Sequence, residues 1–167
     1  MVTGRQFFNL TLPAVTAFSL DAPAKINLWL RVLGRREDGF HALETRLAPL
    51  ALCDQLSLRA DPALALGDIG FECDDPSVAG DESNLVVKAV RELEKATGRL
   101  PGMHFSLTKR IPHGAGLGGG SSDAAAALQL VKAAFCPGVE AAILFEAAAA
   151  VGSWGSYWVC CSGWSVV

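Results

Sequence analysis

A glycine-rich segment between a predicted strand and a predicted helix constrains the fold of this chain more than any other feature. Five glycines fall within residues 114–120. Before them, apolar and polar residues alternate over 103–108, which predicts a strand. After them, hydroxyl and acidic residues begin an alanine-rich run, which predicts a helix from Ser121 to about Ala134. The chain therefore contains a strand, a tight glycine loop and a helix in direct succession.

This succession is suited to binding phosphate. Glycines let successive backbone N–H groups converge on an anion that no side chain obstructs, and the start of a helix adds unpaired N–H donors and partial positive charge. Lys109, at the end of the strand, would add a full charge, and serine hydroxyls would bind phosphate or Mg²⁺. The candidate phosphate-binding residues are Lys109, Pro112, His113, Gly114, Ala115, Gly116, Leu117, Gly118, Gly119, Gly120, Ser121 and Ser122.

Other interpretations of the loop are weaker. No Gly-Lys-Ser/Thr triplet closes it, so it is not a Walker A loop. Gly114, Gly116 and Gly119 satisfy G-x-G-x-x-G, but no acidic residue closes a second strand about 20 residues later, as a dinucleotide site requires. A glycine turn that binds no ligand remains the structural alternative, although the density of glycines joined to two serines at a helix start disfavours it.

Composition restricts the class of protein. The 167 residues, 51% hydrophobic, suit one globular domain, and the net charge of -3 without a basic block disfavours a nucleic-acid partner. We expect no membrane span and no secretion signal. The five cysteines are an odd number and lack CxxC spacing, which indicates neither a disulfide framework nor a metal site. We therefore expect a cytoplasmic protein with a small-molecule partner; the sequence sets no oligomeric state.

The remaining elements follow from periodicity and breakers. Strict alternation over 24–32 predicts a half-buried strand, with Ala24, Ile26, Leu28, Leu30 and Val32 on its apolar face, that forms a hairpin with 42–50. Further predictions are a strand at 55–59, a loop over 61–82 with a weak strand near 69–73, a helix over 84–97 capped by Ser83, and a helix over 140–151.

Several of these segments carry a resemblance to a known family. Residues 112–122 resemble the Pro-x-x-x-Gly-Leu-Gly-Gly-Gly-Ser-Ser ATP loop of the galactokinase, homoserine kinase, mevalonate kinase and phosphomevalonate kinase (GHMP) superfamily. Residues 23–28 and 36–45 resemble the first strand and the next segment of its diphosphocytidyl-methylerythritol kinases, and the similarity extends over 21–151. It implies an α+β fold, the N-terminal domain of the superfamily, with a sheet packed on helices.

The resemblance also implies an activity. Such kinases transfer the γ-phosphate of ATP, with Mg²⁺, to the 2-hydroxyl of a cytidine-diphosphate-linked methylerythritol in non-mevalonate isoprenoid synthesis. Lys25 matches the catalytic lysine, and Asn27 is placed to orient it at the substrate. Phe40 and His41 match the positions that hold the cytosine, by ring stacking and by hydrogen bonding. Residues 1–20 would be an extension, and 21–153 the ATP-binding domain.

The resemblance ends near Ser153. Members of the family continue with Gly-Ala-Asp-Val-Pro, whose aspartate is the general base, whereas Trp154 stands in that place here. Residues 154–167 hold three of the four tryptophans and show no helical or strand period. We interpret them as an aberrant tail, from a shifted reading frame or a truncated gene product. The chain is then expected to have little kinase activity; the alternative is a non-catalytic nucleotide-binding fragment of such a kinase.

Overall fold

A computed structural model describes residues 17–35, 41–152 and 155–160. Along the chain, the elements are β1 (Phe18–Arg35), β2 (His41–Ala60), β3 (Ile69–Cys73), α1 (Leu85–Thr97), β4 (Met103–Thr108), α2 (Gly119–Phe135), α3 (Ala141–Val151) and α4 (Gly155–Cys160). The predicted hairpin, the weak strand near 69–73 and the three predicted helices are confirmed, whereas 42–50 and 55–59 belong to one long strand.

The four strands form one mixed sheet in the order β1-β2-β4-β3. β1 and β2 pair antiparallel, β2 and β4 pair antiparallel, and β3 lies parallel to β4. The parallel pair is possible because α1 crosses over between β3 and β4. The pairing of the central strands β2 and β4 places the end of β4, near the start of the glycine loop, beside Gln55 of β2.

Helices pack on the sheet and on one another to form the core. The apolar stripe predicted for the first helix is confirmed, since Val86, Val90 and Leu93 are buried. β4 buries every second residue, as its alternation predicts. α2 is buried over most of its length because its alanines let it approach α1, the sheet, α3 and α4 closely. This central position fixes the first turn of α2 relative to the strands.

The hairpin departs from the half-buried strand that the sequence predicts. Only Ala24 of the predicted apolar face is buried; Ile26, Leu28, Leu30 and Val32 are 38–59% exposed. Register shifts at Pro23/Lys25, Asn27/Trp29 and Val32/Gly34 interrupt the pairing, and such bulges break the simple alternation of faces. Lys25, expected on the polar face, is buried instead.

Two helix starts also differ from expectation. Asn84, not Ser83, caps α1: its side-chain oxygen accepts a hydrogen bond from the Val86 N–H at 2.8 Å. Ser83 instead donates its hydroxyl to Asp81. α2 begins at Gly119, two residues before the predicted start, because Gly118 provides the left-handed turn into the helix.

Residues 155–160 of the tail have regular structure, although their sequence shows no helical period. They form α4, which packs on α2 and α3. Trp158 is 1% exposed and lies edge-on to Tyr157. A six-residue helix is too short to show a periodic pattern in the sequence. Tertiary packing of Trp158, and not helix propensity, stabilises a helix of this length. Within the described ranges, no helix combines the length and the hydropathy that crossing a membrane requires.

Candidate phosphate-binding site

The glycine loop adopts a backbone that requires its glycines. Gly114, Gly116 and Gly118 have φ values of 72°, 73° and 73°, in the left-handed region that residues with a Cβ rarely adopt. A Cβ would meet no atom within 4 Å at Gly114 or Gly116. The constraint at these two positions is therefore the backbone angle and not the space.

At the start of α2 the constraint is close approach. A Cβ on Gly118 would lie 3.1 Å from Cε of Lys25, and one on Gly119 would lie 3.0 Å from Cγ2 of Ile111. No side chain caps the helix at Gly118, so the N–H groups of the first turn are available to an external acceptor. A helix N-terminus of this kind attracts anions.

A cavity of about 480 Å³ lies over the loop. Of the predicted phosphate-binding residues, all except Ser122 line it; the Ser122 side chain is buried behind the loop. A second wall of the cavity is formed by residues just before α1 and at its start. This wall was not predicted from the sequence, because the pattern of these residues does not indicate a ligand. The lining residues on this wall are Ser77, Val78, Ala79, Ser83, Asn84 and Leu85.

Lys25 is attached to the loop by its backbone and its side chain. Its N–H donates to the carbonyl of Leu117 at 2.9 Å, and its Nζ donates to the carbonyl of Gly116 at 2.8 Å. Burial lowers the pKa of Lys25 below its usual value. The structure therefore brings the predicted catalytic lysine and the predicted phosphate loop together, although 91 residues separate Lys25 from Gly116.

A chain of hydrogen bonds orients Lys25 from the opposite side. Nζ of Lys25 also donates to Oδ1 of Asn27 at 2.7 Å. The Asn27 amide donates to the hydroxyl of Thr45 at 2.9 Å, and that hydroxyl donates to the carbonyl of Trp29 at 2.7 Å. Asn27 is therefore joined to Lys25, as predicted. Thr45, which no sequence pattern singled out, fixes the amide orientation of Asn27.

Lys109 lies between two carboxylates. Its Nζ donates to Oδ2 of Asp54 and, at 3.0 Å, to Oδ2 of Asp123. Burial raises the pKa of Asp123 to about 7, the charge of Lys109 opposes that rise, and Asp54 adds to it. Burial alone would lower the pKa of Lys109, but the two carboxylates outweigh it and the net pKa is raised. Lys109 therefore stays protonated at neutral pH.

Some predicted positions are not described. Phe40 and Trp154 lie outside the described residues, and His41 begins β2 without a described side chain. The predicted cytosine contacts and the position of the expected base therefore stay predictions. Among the described residues, no group of three or more His, Cys, Asp or Glu side chains is arranged to hold a metal ion.

Comparison with known proteins identifies the fold. Residues 84–157 match the family model described as GHMP kinases N terminal domain. A 4-diphosphocytidyl-2-C-methyl-D-erythritol kinase from Bordetella parapertussis is 42% identical over 139 residues, which are 83% of this chain and 45% of that protein. The chain contains the N-terminal domain of a GHMP kinase. The predicted α+β fold and the predicted superfamily are thereby confirmed.

Other relatives agree with this assignment. The kinase of the same name from Pseudomonas syringae pv. tomato is 51% identical over 111 residues, covering 65% of this chain and 37% of that protein. A crystal structure of 4-(cytidine 5'-diphospho)-2C-methyl-D-erythritol kinase superposes with a TM-score of 0.69 at 38% identity, over 89% of this chain and 52% of that one. Homoserine kinase from Cytophaga hutchinsonii shares the fold, with a TM-score of 0.60 at 21% identity over 88% of this chain and 43% of that one. The chain thus spans about half the length of the relatives it matches, or less.

Proposed function

We propose that this chain binds the phosphates of ATP at the glycine loop and derives from a kinase that phosphorylates 4-diphosphocytidyl-2-C-methyl-D-erythritol. The observation that carries the proposal is the contact of Lys25 with the loop. It puts a buried cation against Gly116 and Leu117, two residues that line the cavity. Phosphoryl transfer needs this combination because charge spreads over the oxygens of the moving phosphate. A cytoplasmic location fits such a soluble substrate.

Lys25 would stabilise negative charge and would not act as a general base. The loop N–H groups and the start of α2 would hold the β- and γ-phosphates, and Lys25 would stabilise charge on the transferred phosphate and on the attacking 2-hydroxyl. Mg²⁺ supplies further charge neutralisation and a fixed geometry for the phosphates. It prefers oxygen ligands and usually binds few of them from protein. Ser121 lines the cavity and offers such an oxygen.

The family's general base has no counterpart at residue 154 of this chain. In the family a carboxylate follows the third helix, whereas Trp154 occupies that place. An indole cannot accept the proton of the hydroxyl, and general-base assistance contributes about 10²–10⁴-fold in rate. We therefore propose that the chain as given binds nucleotide but turns over little substrate.

Calorimetry with MgATP and a coupled ADP assay test the two halves of the proposal. We expect MgATP binding, and product formation at least about 10²-fold slower than that of the full-length Bordetella parapertussis relative assayed in parallel. Absence of MgATP binding would remove the phosphate-loop assignment. Rates comparable to those of the relative would show that Trp154 does not disable the site.

Cytidine recognition is tested at the hairpin. Phe40→Ala should weaken cytidine diphosphate binding by about 1–3 kcal/mol, the usual contribution of an aromatic ring stacked on a base. MgATP affinity should stay nearly constant because the loop is a separate part of the site. Equal losses for both ligands would instead make Phe40 a packing residue.

A further inference from the structure

Two buried carboxylates and a largely buried lysine lie next to the glycine loop and are not used in the proposed transfer. They are Asp54, on β2, Lys109, directly after β4, and Asp123, in the first turns of α2. Asp54 is 0% exposed and Asp123 is 3% exposed. Burying charge is costly unless each group is paired, so the retention of three such groups at one place calls for a role.

Asp54 attaches the entrance of the loop to the sheet. Its Oδ1 accepts hydrogen bonds from the N–H groups of Arg110 at 2.5 Å and of Ile111 at 2.8 Å. Its Oδ2 accepts a hydrogen bond from Nζ of Lys109. One carboxylate on β2 therefore fixes three consecutive residues at the point where the chain leaves β4 and enters the loop.

The same group reaches the exit of the loop. Lys109 carries its second hydrogen bond to Asp123 on α2, so the ammonium joins Asp54 to the helix. In addition, Gly119 lies so close that a Cβ there would stand 3.3 Å from Oδ2 of Asp54. The residues that flank the loop are thus linked to Asp54, directly at the entrance and through Lys109 at the exit.

We propose that Asp54, Lys109 and Asp123 clamp the two ends of the glycine loop to β2, which makes Asp54 a positioning residue for nucleotide binding. The proposal rests on phosphate binding at the loop. It gives Lys109 a different role from the phosphate contact that the sequence predicts, because its ammonium already donates to Asp54 and Asp123. The clamp sets the spacing between the loop donors and the start of α2, and both must point at the same phosphate.

Asp54→Asn is the variant that isolates the clamp. The side-chain oxygen of the introduced asparagine can still accept the two backbone N–H groups, but its amide opposes the Lys109 ammonium, so the link between entrance and exit is lost. The matched control is Asp61→Asn, just after the end of the same strand, where the carboxylate also accepts a backbone N–H and pairs with an arginine. Circular dichroism at the assay temperature establishes that each variant is folded.

We expect Asp54→Asn to weaken MgATP binding about 10- to 100-fold, since small displacements of positioned groups have effects of this size, and Asp61→Asn to leave it unchanged. Without nucleotide, the amide NMR signals of Gly114, Gly116 and Gly118 should move in Asp54→Asn, whereas those of Gly98 and Gly138 should not. A purely structural role would lower thermal stability without this selective change. Unchanged affinity and unchanged loop signals in the folded variant would overturn the proposal.

Two possible results, an unfolded Asp54→Asn variant and wild-type protein that does not bind MgATP, require a further measurement. If Asp54→Asn does not fold, Asp123→Ala takes its place, because it removes the acceptor that links Lys109 to α2 and should move the same three glycine signals; unmoved signals would then refute the clamp. If wild-type protein binds no MgATP, the proposed function fails, and the nucleotide-free NMR comparison still decides whether the clamp orders the loop.

Discussion

Gly118 combines the two reasons for which a glycine is irreplaceable. Its φ of 73° is in the left-handed region, and a Cβ would lie 3.1 Å from Cε and 3.2 Å from Cγ of Lys25. A side chain there would strain the turn into α2 and push Lys25, the predicted catalytic lysine, away from the loop. The same position thus affects the phosphate donors and the cation that faces them.

Gly118→Val should therefore abolish detectable MgATP binding, a loss of at least about 10²-fold for a displaced phosphate site. The control is Gly138→Val, because Gly138 has no atom within 4 Å of its Cβ position and no positive φ. Calorimetry on both variants is the measurement. Equal MgATP affinity in the two would contradict the assignment of the loop.

Asp123 should impose a pH dependence on stability. Its pKa is about 7 in the folded chain, against an ordinary value of 3.8. Between these values the folded state binds more protons than the unfolded state, so the contribution of Asp123 to the free energy of unfolding falls as the pH rises from about 4 to about 7, and stays low above that.

Asp123→Asn removes this titration. Urea unfolding of wild type and variant across the same pH range should show the variant gaining stability relative to wild type as the pH rises towards 7. Because all other groups titrate in both proteins, the difference isolates Asp123 and its coupling to Lys109 and Asp54. A difference that stays constant with pH would show that the buried carboxyl keeps an ordinary pKa.

The sequence pattern predicted those helices and strands whose form depends on which of their faces is buried. The alternation of β4 and the stripe of α1 follow from which face meets the core, and both were predictable. The long β2 was not, because its continuity depends on pairing with two neighbours. Nor was the clamp, since Asp54 and Lys109 meet across 55 residues through strand register that no local pattern encodes. For the site, the density of glycines predicted the loop and the family resemblance predicted Lys25, whereas Thr45 and the wall beside α1 were missed.

α4 gives an element-level test of packing. Trp158 is among the largest fully buried side chains, and a Cβ on the neighbouring Gly155 would lie 2.6 Å from the carbonyl oxygen of Ala148. Trp158→Ala should lower the free energy of unfolding by about 3–5 kcal/mol, the usual loss for a buried aromatic. Phe145→Ala on the adjacent helix, 43% exposed, should cost about 1 kcal/mol or less. Urea denaturation measures both; equal losses would mean that α4 does not belong to the core.

The distribution of apolar surface across the domain is uneven. Leu20, Ala22 and Ala24 in the first part of β1 are buried, whereas its second part and the facing part of β2 expose an apolar ribbon. This ribbon consists of Ile26, Leu28, Trp29, Leu30, Val32, Leu33 and Leu43. β1 is also the edge of the sheet among the described strands. Exposed apolar patches and uncovered strand edges both favour association between molecules.

The isolated chain should therefore self-associate through the ribbon and bind a hydrophobic dye. Leu28→Lys combined with Val32→Lys should reduce both effects without lowering thermal stability, because these side chains are 59% and 57% exposed and charge on an edge strand discourages pairing. Leu66→Lys is the control: Leu66 is 67% exposed but lies in a turn away from the hairpin, so it adds a charge of the same sign without touching the ribbon. Sedimentation velocity over a concentration series measures association. If the control reduced it as much as the double variant, net charge and not the ribbon would be the cause; if neither changed it, the contact would lie elsewhere on the domain.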